Sequence, residues 1–262
     1  MSMMEKLAIS MNRRYLQSVV RDVDALRFFL NNSADAESNG EATIFVRVKP
    51  FLDGQIAKLV DRHAADEIRH AKMLVDALES IGGTTSIPEE KFRLVERTGE
   101  AAGDVFNRPI TGGYDVAKVY LLLYAIERRA IERFTLMEEA LRDVYPDIAT
   151  VFARIQKDEK THMHYCVAVS KAALPDESAW TALRDEMVEI EAEVFTRQSA
   201  IFMNHLLDNV FTTMPAYQKI FWKAARKLNS LTGKPLYILD VGGAKELPGS
   251  RGTKQPDLAF AA

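Results

Sequence analysis

The stretch HAADEIRHAK, residues 63–72, decides the fold, because it carries ionisable residues on a helix face that should be apolar. On either side of it, apolar residues recur at the spacing of three and four that marks one helix face: Ile56, Val60, Leu74 and Leu78. The positions that continue this face through the stretch are His63, Glu67 and His70. Burying such side chains is costly unless they are paired or bind a metal. The stretch therefore predicts a helix that brings histidine and glutamate into the interior of a helical protein.

The rest of the chain shows the same helical spacing and almost no strand pattern, which predicts an all-α fold. We expect four long helices, over about residues 5–49, 51–81, 114–141 and 147–174. Pro50 marks a tight turn between the first two, residues 144–147 join the last two, and residues 82–113 form a long crossover with a short helix. Two antiparallel pairs joined by one long crossover are typical of a four-helix bundle of ferritin-like topology.

Two more helices are expected beyond Pro175, over about residues 177–211 and 215–229. The last segment is rich in glycine and proline. The expected organisation is a bundle, a helical extension of the same domain and a tail, over residues 1–175, 176–230 and 231–262.

Composition excludes several classes of protein. A net charge of −3 over 262 residues gives no electrostatic footprint for nucleic acid or an anionic membrane. The single cysteine, Cys166, excludes an internal disulfide and a cysteine-based zinc site. The first residues lack the apolar region of a secretory signal, and no window is apolar enough to span a membrane. We therefore expect a cytoplasmic protein.

A pair of related motifs carries the chemistry. The second helix contains Asp66-Glu67 followed by His70, and the fourth contains Asp158-Glu159 followed by His162, so that both read D-E-x-x-H. A glutamate and a histidine three residues apart share one helix face and can bind one metal ion or adjacent ions. Each motif interrupts an apolar stripe, as do candidate partners on the neighbouring helices: Glu127 on the third helix, and Glu37 and Glu41 on the first.

The distance of each glutamate from its turn favours Glu37 over Glu41. Glu37 and Glu67 flank the first turn by about 14 and 16 residues, whereas Glu41 is about 10 residues away, a mismatch of roughly 9 Å. Glu127 and Glu159 flank the second turn by about 18 and 14 residues. A helix break at Gly40 would weaken the preference for Glu37.

Four carboxylates in one bundle interior require compensation, because each repels the others and loses its hydration. Two divalent cations would neutralise them. Carboxylate and imidazole ligands without thiolates suit a redox-capable first-row metal, so we expect two iron ions, with manganese or a mixed manganese–iron pair as the alternative. The competing interpretation is a metal-free structural bundle with solvated glutamate–histidine pairs.

At these residues the chain resembles the ferritin-like non-haem di-iron carboxylate superfamily. DEIRH matches the D-E-x-R-H signature of its oxygenases, and DEKTH departs from it by having Thr161 in place of arginine. The resemblance implies that Glu67 and Glu159 bridge the two ions at the catalytic centre. It also implies four terminal ligands: Glu37, His70, Glu127 and His162. Asp66 and Asp158 would accept hydrogen bonds from the opposite histidine, His162 and His70 respectively.

This interpretation leaves more than one role possible for each of three further residues, His63, Glu41 and Tyr124. The spacing places His63 one turn from Glu67, near Glu41, toward a polar end of the bundle. His63 is then an additional ligand, a partner of Glu41 or a packed core histidine. Tyr124 either lines the site with its phenol or packs in the interior.

The resemblance implies an oxygenase or oxidase, of the EC 1.14 type, which uses O2 to oxidise a small organic substrate. Such an enzyme needs an electron donor, a ferredoxin or a reductase. The alternative is a ferroxidase or a peroxide-scavenging protein with no organic substrate. The identity of the substrate is not encoded in these motifs, and the oligomeric state is open between a monomer and a homodimer.

Overall fold

The computed structural model describes residues 3–39, 42–211 and 214–231, and this part of the chain is all helical, which confirms the predicted all-α class. Its nine α-helices are α1 (Met3–Arg21), α2 (Val23–Asn39), α3 (Ala42–Val48), α4 (Gly54–Ser80), α5 (Leu94–Ala101), α6 (Gly113–Leu141), α7 (Pro146–Ala173), α8 (Glu177–His205) and α9 (Ala216–Leu231). Short 3-10 turns form at Lys49–Phe51 and Glu90–Phe92, and a π turn at Leu206–Val210. None of these helices is both long and apolar enough to cross a membrane.

The expected first helix is divided into α1, α2 and α3. Asp22 interrupts it, because its carboxylate accepts a hydrogen bond from the backbone N–H of Ala25 at 3.2 Å and so caps the start of α2. Asp22 is buried, so the break lies against the protein interior. Gly40 and Glu41 lie outside the described residues, as does the tail from residue 232 onward.

Long helices pack in antiparallel pairs around one region. Arg27 of α2 donates to the carbonyl of Ile81 just beyond the end of α4, while Glu37 near the end of α2 reaches the middle of α4. The helices α6 and α7 also run in opposite directions, and the backbone of Gly113 lies so close to Ala173 that a Cβ would collide with its carbonyl oxygen. Glycine at position 113 therefore permits the close approach of these two helices.

Two separate apolar clusters stabilise the fold, and four helices, α4, α6, α7 and α8, contribute buried residues to both of them. On α4, Val60 belongs to one cluster and Leu74 to the other. On α7, Cys166 belongs to the same cluster as Val60, and Ile155 belongs to the same cluster as Leu74. The residues between these positions include both D-E-x-x-H motifs, which therefore lie at the polar boundary between two dry cores.

Candidate metal centre

Buried histidines and glutamates of α4, α6 and α7 meet at this boundary. They form two overlapping groups whose potential ligand atoms lie within 4.8 Å of one another. The first group consists of His63, Glu67, Glu127 and His162. The second group consists of Glu67, His70, Glu159 and His162. All six residues are at most 4% exposed, so solvent does not compensate their charge.

The first group is centred on Glu127. The Nε2 atom of His63 lies 2.9 Å from Oε1 of Glu127 and 3.2 Å from Oε1 of Glu67. The Nδ1 atom of His162 lies 3.0 Å from the same Glu67 oxygen and 3.8 Å from Oε1 of Glu127. Two imidazole nitrogens and two carboxylate oxygens thus face one small volume.

The second group is centred on Glu159. The Nδ1 atom of His70 lies 3.2 Å from Oε1 of Glu159, and Nδ1 of His162 lies 2.6 Å from Oε2 of the same carboxylate. The second oxygen of Glu67 is 3.8 Å from His70 Nδ1. Glu37 of α2 adds a carboxylate oxygen at 3.4 Å from the same nitrogen, and its side chain is 11% exposed. Glu37 therefore lies at the edge of the group, on the side of α2.

Two aspartates orient the histidines from outside the groups. His162 Nε2 lies 3.2 Å from Asp66, and His70 Nε2 lies 3.3 Å from Asp158, so that each imidazole presents Nδ1 to the centre. Arg69 joins both aspartates, at 2.6 Å from Asp66 and 2.7 Å from Asp158. An aspartate that accepts the Nε2 proton fixes the tautomer in which Nδ1 is free to bind a metal.

Asp158→Asn tests this orientation, because asparagine keeps the shape of the side chain but removes its charge. We expect metal affinity to fall by about 10- to 100-fold, the usual cost of losing such an outer hydrogen-bond partner. Competition with a chelator of known affinity measures the change. Asp76→Asn on α4 is the control, since Asp76 is exposed and pairs with the exposed Lys72. Equal affinity in all three proteins would contradict the orienting role.

The pKa values of several histidines and glutamates in and beside the groups are shifted strongly from their ordinary values. Burial opposes the charge of His162, but its carboxylate neighbours outweigh burial and raise its pKa to about 11. The pKa of His70 is raised for the same reason. Burial and the neighbouring carboxylates raise the pKa of Glu37 well above its ordinary value. Burial also acts to raise the pKa of Glu67, but the surrounding histidines outweigh it and hold this pKa well below the ordinary value. Without cations, protons on the histidines balance the carboxylates.

Metal binding should therefore release protons. At pH 7 His70 and His162 hold protons that a cation must displace, because their raised pKa values lie above the solution pH. We expect at least two protons per chain to be released and metal affinity to decrease as pH falls. Calorimetric titration in two buffers of different ionisation heat counts these protons. A proton count of zero would contradict the assigned charges.

Several buried ligand atoms have neighbours but no hydrogen bond. The atoms are Oε1 of Glu67, Oε1 of Glu159 and Nδ1 of His70. Each lies within 4 Å of other atoms of the groups, in directions that do not make a hydrogen bond. An unsatisfied buried carboxylate or imidazole is costly. Cations at the centres of the groups would bind all three atoms, so the donor set fits a metal pair.

The structure brings together the six sequence-predicted ligands and both aspartates. Tyr124 is buried in the apolar cluster that contains Cys166 and Leu183. Burial raises the pKa of its phenol, and the charges that oppose this rise come from Arg128 and Arg184. Tyr124 therefore packs in the interior, and its role as a site-lining phenol stays a prediction. Glu41, the other predicted neighbour, lies outside the described residues.

His63 joins the first group, which is one of the positions that the sequence left open. It lies one helical turn from Glu67, as the spacing indicates, and against both Glu127 and Glu67. The reason lies in the turn distances: Glu127 is about four residues farther from its turn than Glu159, which moves it roughly 6 Å toward His63. Burial lowers the pKa of His63, so its imidazole is neutral and suited to bind a metal.

Tyr165 is a neighbour that the sequence pattern did not single out. Its ring lies 6.1 Å from that of His162 and 6.4 Å from that of His63. The signal was present, because Tyr165 follows His162 by three residues and shares its helix face. Phe45 packs on the other side of His63 at 4.7 Å. Aromatic rings thus enclose the His63 side of the first group.

What the centre can hold follows from these residues. Two overlapping buried groups of histidine and glutamate are compatible with a carboxylate-bridged metal site. No family model, curated protein or solved structure matches the chain.

Proposed function

We propose that this protein is a non-haem di-iron oxidoreductase that uses O2 to oxidise a small organic substrate. The observation that carries the proposal is the pair of buried groups that share Glu67 and His162. Two overlapping groups suit two adjacent ions, whereas a single structural ion needs only one group. The proposal includes a bundle of ferritin-like topology, which the antiparallel packing of the long helices supports.

The two oxygens of each proposed bridging carboxylate face different histidines. Glu67 presents Oε1 to His162 and Oε2 to His70. Glu159 presents Oε2 to His162 and Oε1 to His70. This arrangement supports Glu67 and Glu159 as bridges. Glu37 would then be a terminal ligand together with His70.

The remaining ligands lie on the other side of the bridges. Glu127 and His162 are the proposed terminal ligands of the second ion, and His63 supplies a further nitrogen beside Glu127. Four carboxylates and three imidazoles with no thiolate suit iron best. Manganese, or a mixed manganese–iron pair, is the alternative.

A cavity next to the centre supports an organic substrate. It lies between α2, α6, α8 and the crossover, and it opens to solvent. Three proposed ligands line its inner end, Glu37, Glu67 and Glu127, and most of its remaining wall is apolar. An iron-handling protein without an organic substrate has no need of such a cavity.

The proposed reaction is R–H + O2 + 2 electrons + 2 protons giving R–OH + H2O. When bound, a reduced iron pair supplies the electron transfer to O2, and an external ferredoxin or reductase replaces the electrons. Glu67 and Glu159 hold the positions of the ions, and Asp66 and Asp158 hold the histidine protons on Nε2. The apolar clusters on both sides exclude water from the oxidation.

Anaerobic titration with Fe(II), followed by exposure to O2, tests the proposal. We expect about two iron ions per chain, and oxygen consumption that continues only with an electron donor and a substrate. A chain that binds no iron would contradict it. Oxidation of many iron ions per chain without an organic substrate would favour the ferroxidase alternative instead.

A further inference from the structure

The cavity beside the candidate metal centre contains an arginine that forms no ion pair with the residues that the structure describes. Arg133 of α6 contributes to the wall of this cavity and of an adjoining one between α1, α6 and α8. Its guanidinium lies over the ring of Phe29 at 4.7 Å and near that of Phe202 at 5.8 Å. Among the residues that the structure describes, no carboxylate forms an ion pair with it. Burial lowers the pKa of Arg133 to about 10, so it is still cationic at neutral pH.

Arg129, the other arginine of α6 in this cavity wall, differs from Arg133 because carboxylates of the protein neutralise its charge. Arg129 binds both oxygens of the buried Glu191 carboxylate at 3.2 Å and also Glu132 at 3.2 Å. Its guanidinium lies over the ring of Phe195 at 4.5 Å. The protein therefore compensates one arginine of this wall with its own carboxylates and leaves Arg133 to be compensated by something else.

The other charges at the cavity have partners. Glu191 is neutralised by Arg129. Near the crossover, Arg93 pairs with Asp35 at 3.6 Å and with Glu96 at 2.9 Å. Under the proposed function, the carboxylates at the inner end are occupied by metal. Arg133 is thus the position where a ligand of opposite charge would find a partly buried partner.

We propose that Arg133 binds the carboxylate of an otherwise apolar, ring-bearing substrate, and this inference rests on the proposed function. A guanidinium matches a carboxylate with two parallel hydrogen bonds, and burial strengthens the pair. The rings around it, Phe29, Phe134 and Phe202, suit an aromatic or hydrocarbon body. A partly buried charge without an ion pair carries a desolvation cost in the free protein, and an anionic ligand gains affinity by offsetting that cost.

The position of Arg133 on α6 orients such a substrate. Arg133 follows Glu127 by six residues, about 9 Å along the helix axis. The residues of the same face between and beside them are apolar: Ile126, Ala130 and Phe134. A bound acid would therefore lie along α6 with its carboxylate at Arg133 and its apolar end next to Glu127, at the metal centre.

Three matched probes test the inference: 4-phenylbutyrate, 4-phenylbutanol and 4-phenylbutylamine. They share one apolar body and differ in the charge of the head group. Binding to the full-length protein is measured by calorimetry and by thermal shift, with metal content determined on the same samples. The variants are Arg133→Met, which removes the charge, and Arg133→Lys, which keeps it. Arg142→Met, at the residue that follows α6, is the control, because Arg142 is exposed and pairs with Glu138.

We expect the acid to bind the natural protein and the Arg142→Met control equally, and at least about tenfold more weakly to Arg133→Met. Arg133→Lys should restore part of the loss. Arg133→Met should fold, since it replaces a partly buried charge, which has no ion pair among the described residues, by an apolar side chain. Equal binding of the alcohol and the acid, or acid binding that Arg133→Met does not weaken, would overturn the inference.

The two proposals fail in different ways. A chain with about two metal ions that binds none of the acid overturns the role of Arg133 and leaves the metal centre standing. A chain without metal that binds the acid through Arg133 overturns the proposed function and supports the carboxylate site.

Discussion

Glu67→Ala is expected to remove both metal ions, because Glu67 belongs to both groups and faces a different histidine with each oxygen. Its loss leaves each ion with one carboxylate fewer in a site without solvent. Elemental analysis of the purified variant should find less than half the metal of the natural protein. Loss of oxygen consumption should accompany the loss of metal, since both depend on the same carboxylate.

Two comparisons make this result specific. Glu79→Ala lies on the same helix at an exposed position and should keep both ions. Glu127→Ala changes a residue of the first group alone, so it should keep one ion, held by the second group. Full metal content in Glu67→Ala would contradict a shared bridging carboxylate. Loss of both ions in Glu127→Ala would show that the two groups do not bind independently.

Removing the metal is expected to lower the thermal stability of the natural protein by a large amount. An ion present at about 1000 times its dissociation constant stabilises the folded chain by roughly 4 kcal/mol. In a protein of this size each kcal/mol corresponds to about 2–4 °C in melting temperature, so each ion should contribute roughly 8–16 °C. Melting curves before and after dialysis against a chelator measure this shift.

Glu67→Ala is the control for the chelation experiment, because a chain that binds no metal should not respond to a chelator. The chelated natural protein should still fold, since the ion pairs of His70 and His162 with Glu159 compensate part of the buried charge. Re-addition of Fe(II) should restore the melting temperature. An unchanged melting temperature after complete metal removal would contradict the proposed contribution of the ions to folding.

Much of the centre was predictable from the sequence because helical spacing fixes which residues share a face. The glutamate and histidine of each D-E-x-x-H motif are three residues apart, and no packing detail alters that relation. The choice of Glu37 needed only the distance from a turn, and the structure places Glu37 beside His70. These relations involve one helix or one hairpin, so they hold even where the arrangement of the other helices is predicted incorrectly.

Other features depended on how helices meet. The level of His63 relative to Glu127 involves two hairpins, so the sequence left open whether His63 is a ligand, and the structure places it 2.9 Å from Glu127. The break at Asp22 depends on a side chain that competes with the backbone inside an apolar pattern. Arg129 pairs with Glu191 of α8, whereas Arg133 lines the cavity. The spacing of residues along α6 does not reveal this difference, because it depends on how α8 packs against α6.

Anomalous diffraction from iron-loaded crystals, recorded on both sides of the iron absorption edge, tests the central claim most directly. Two iron peaks are predicted, about 3.5–4 Å apart as in other two-metal sites. One should lie near His63, Glu127 and His162, and the other near Glu37 and His70, with Glu67 and Glu159 between them. A single peak, or none at these residues, would contradict a di-iron centre in this protein.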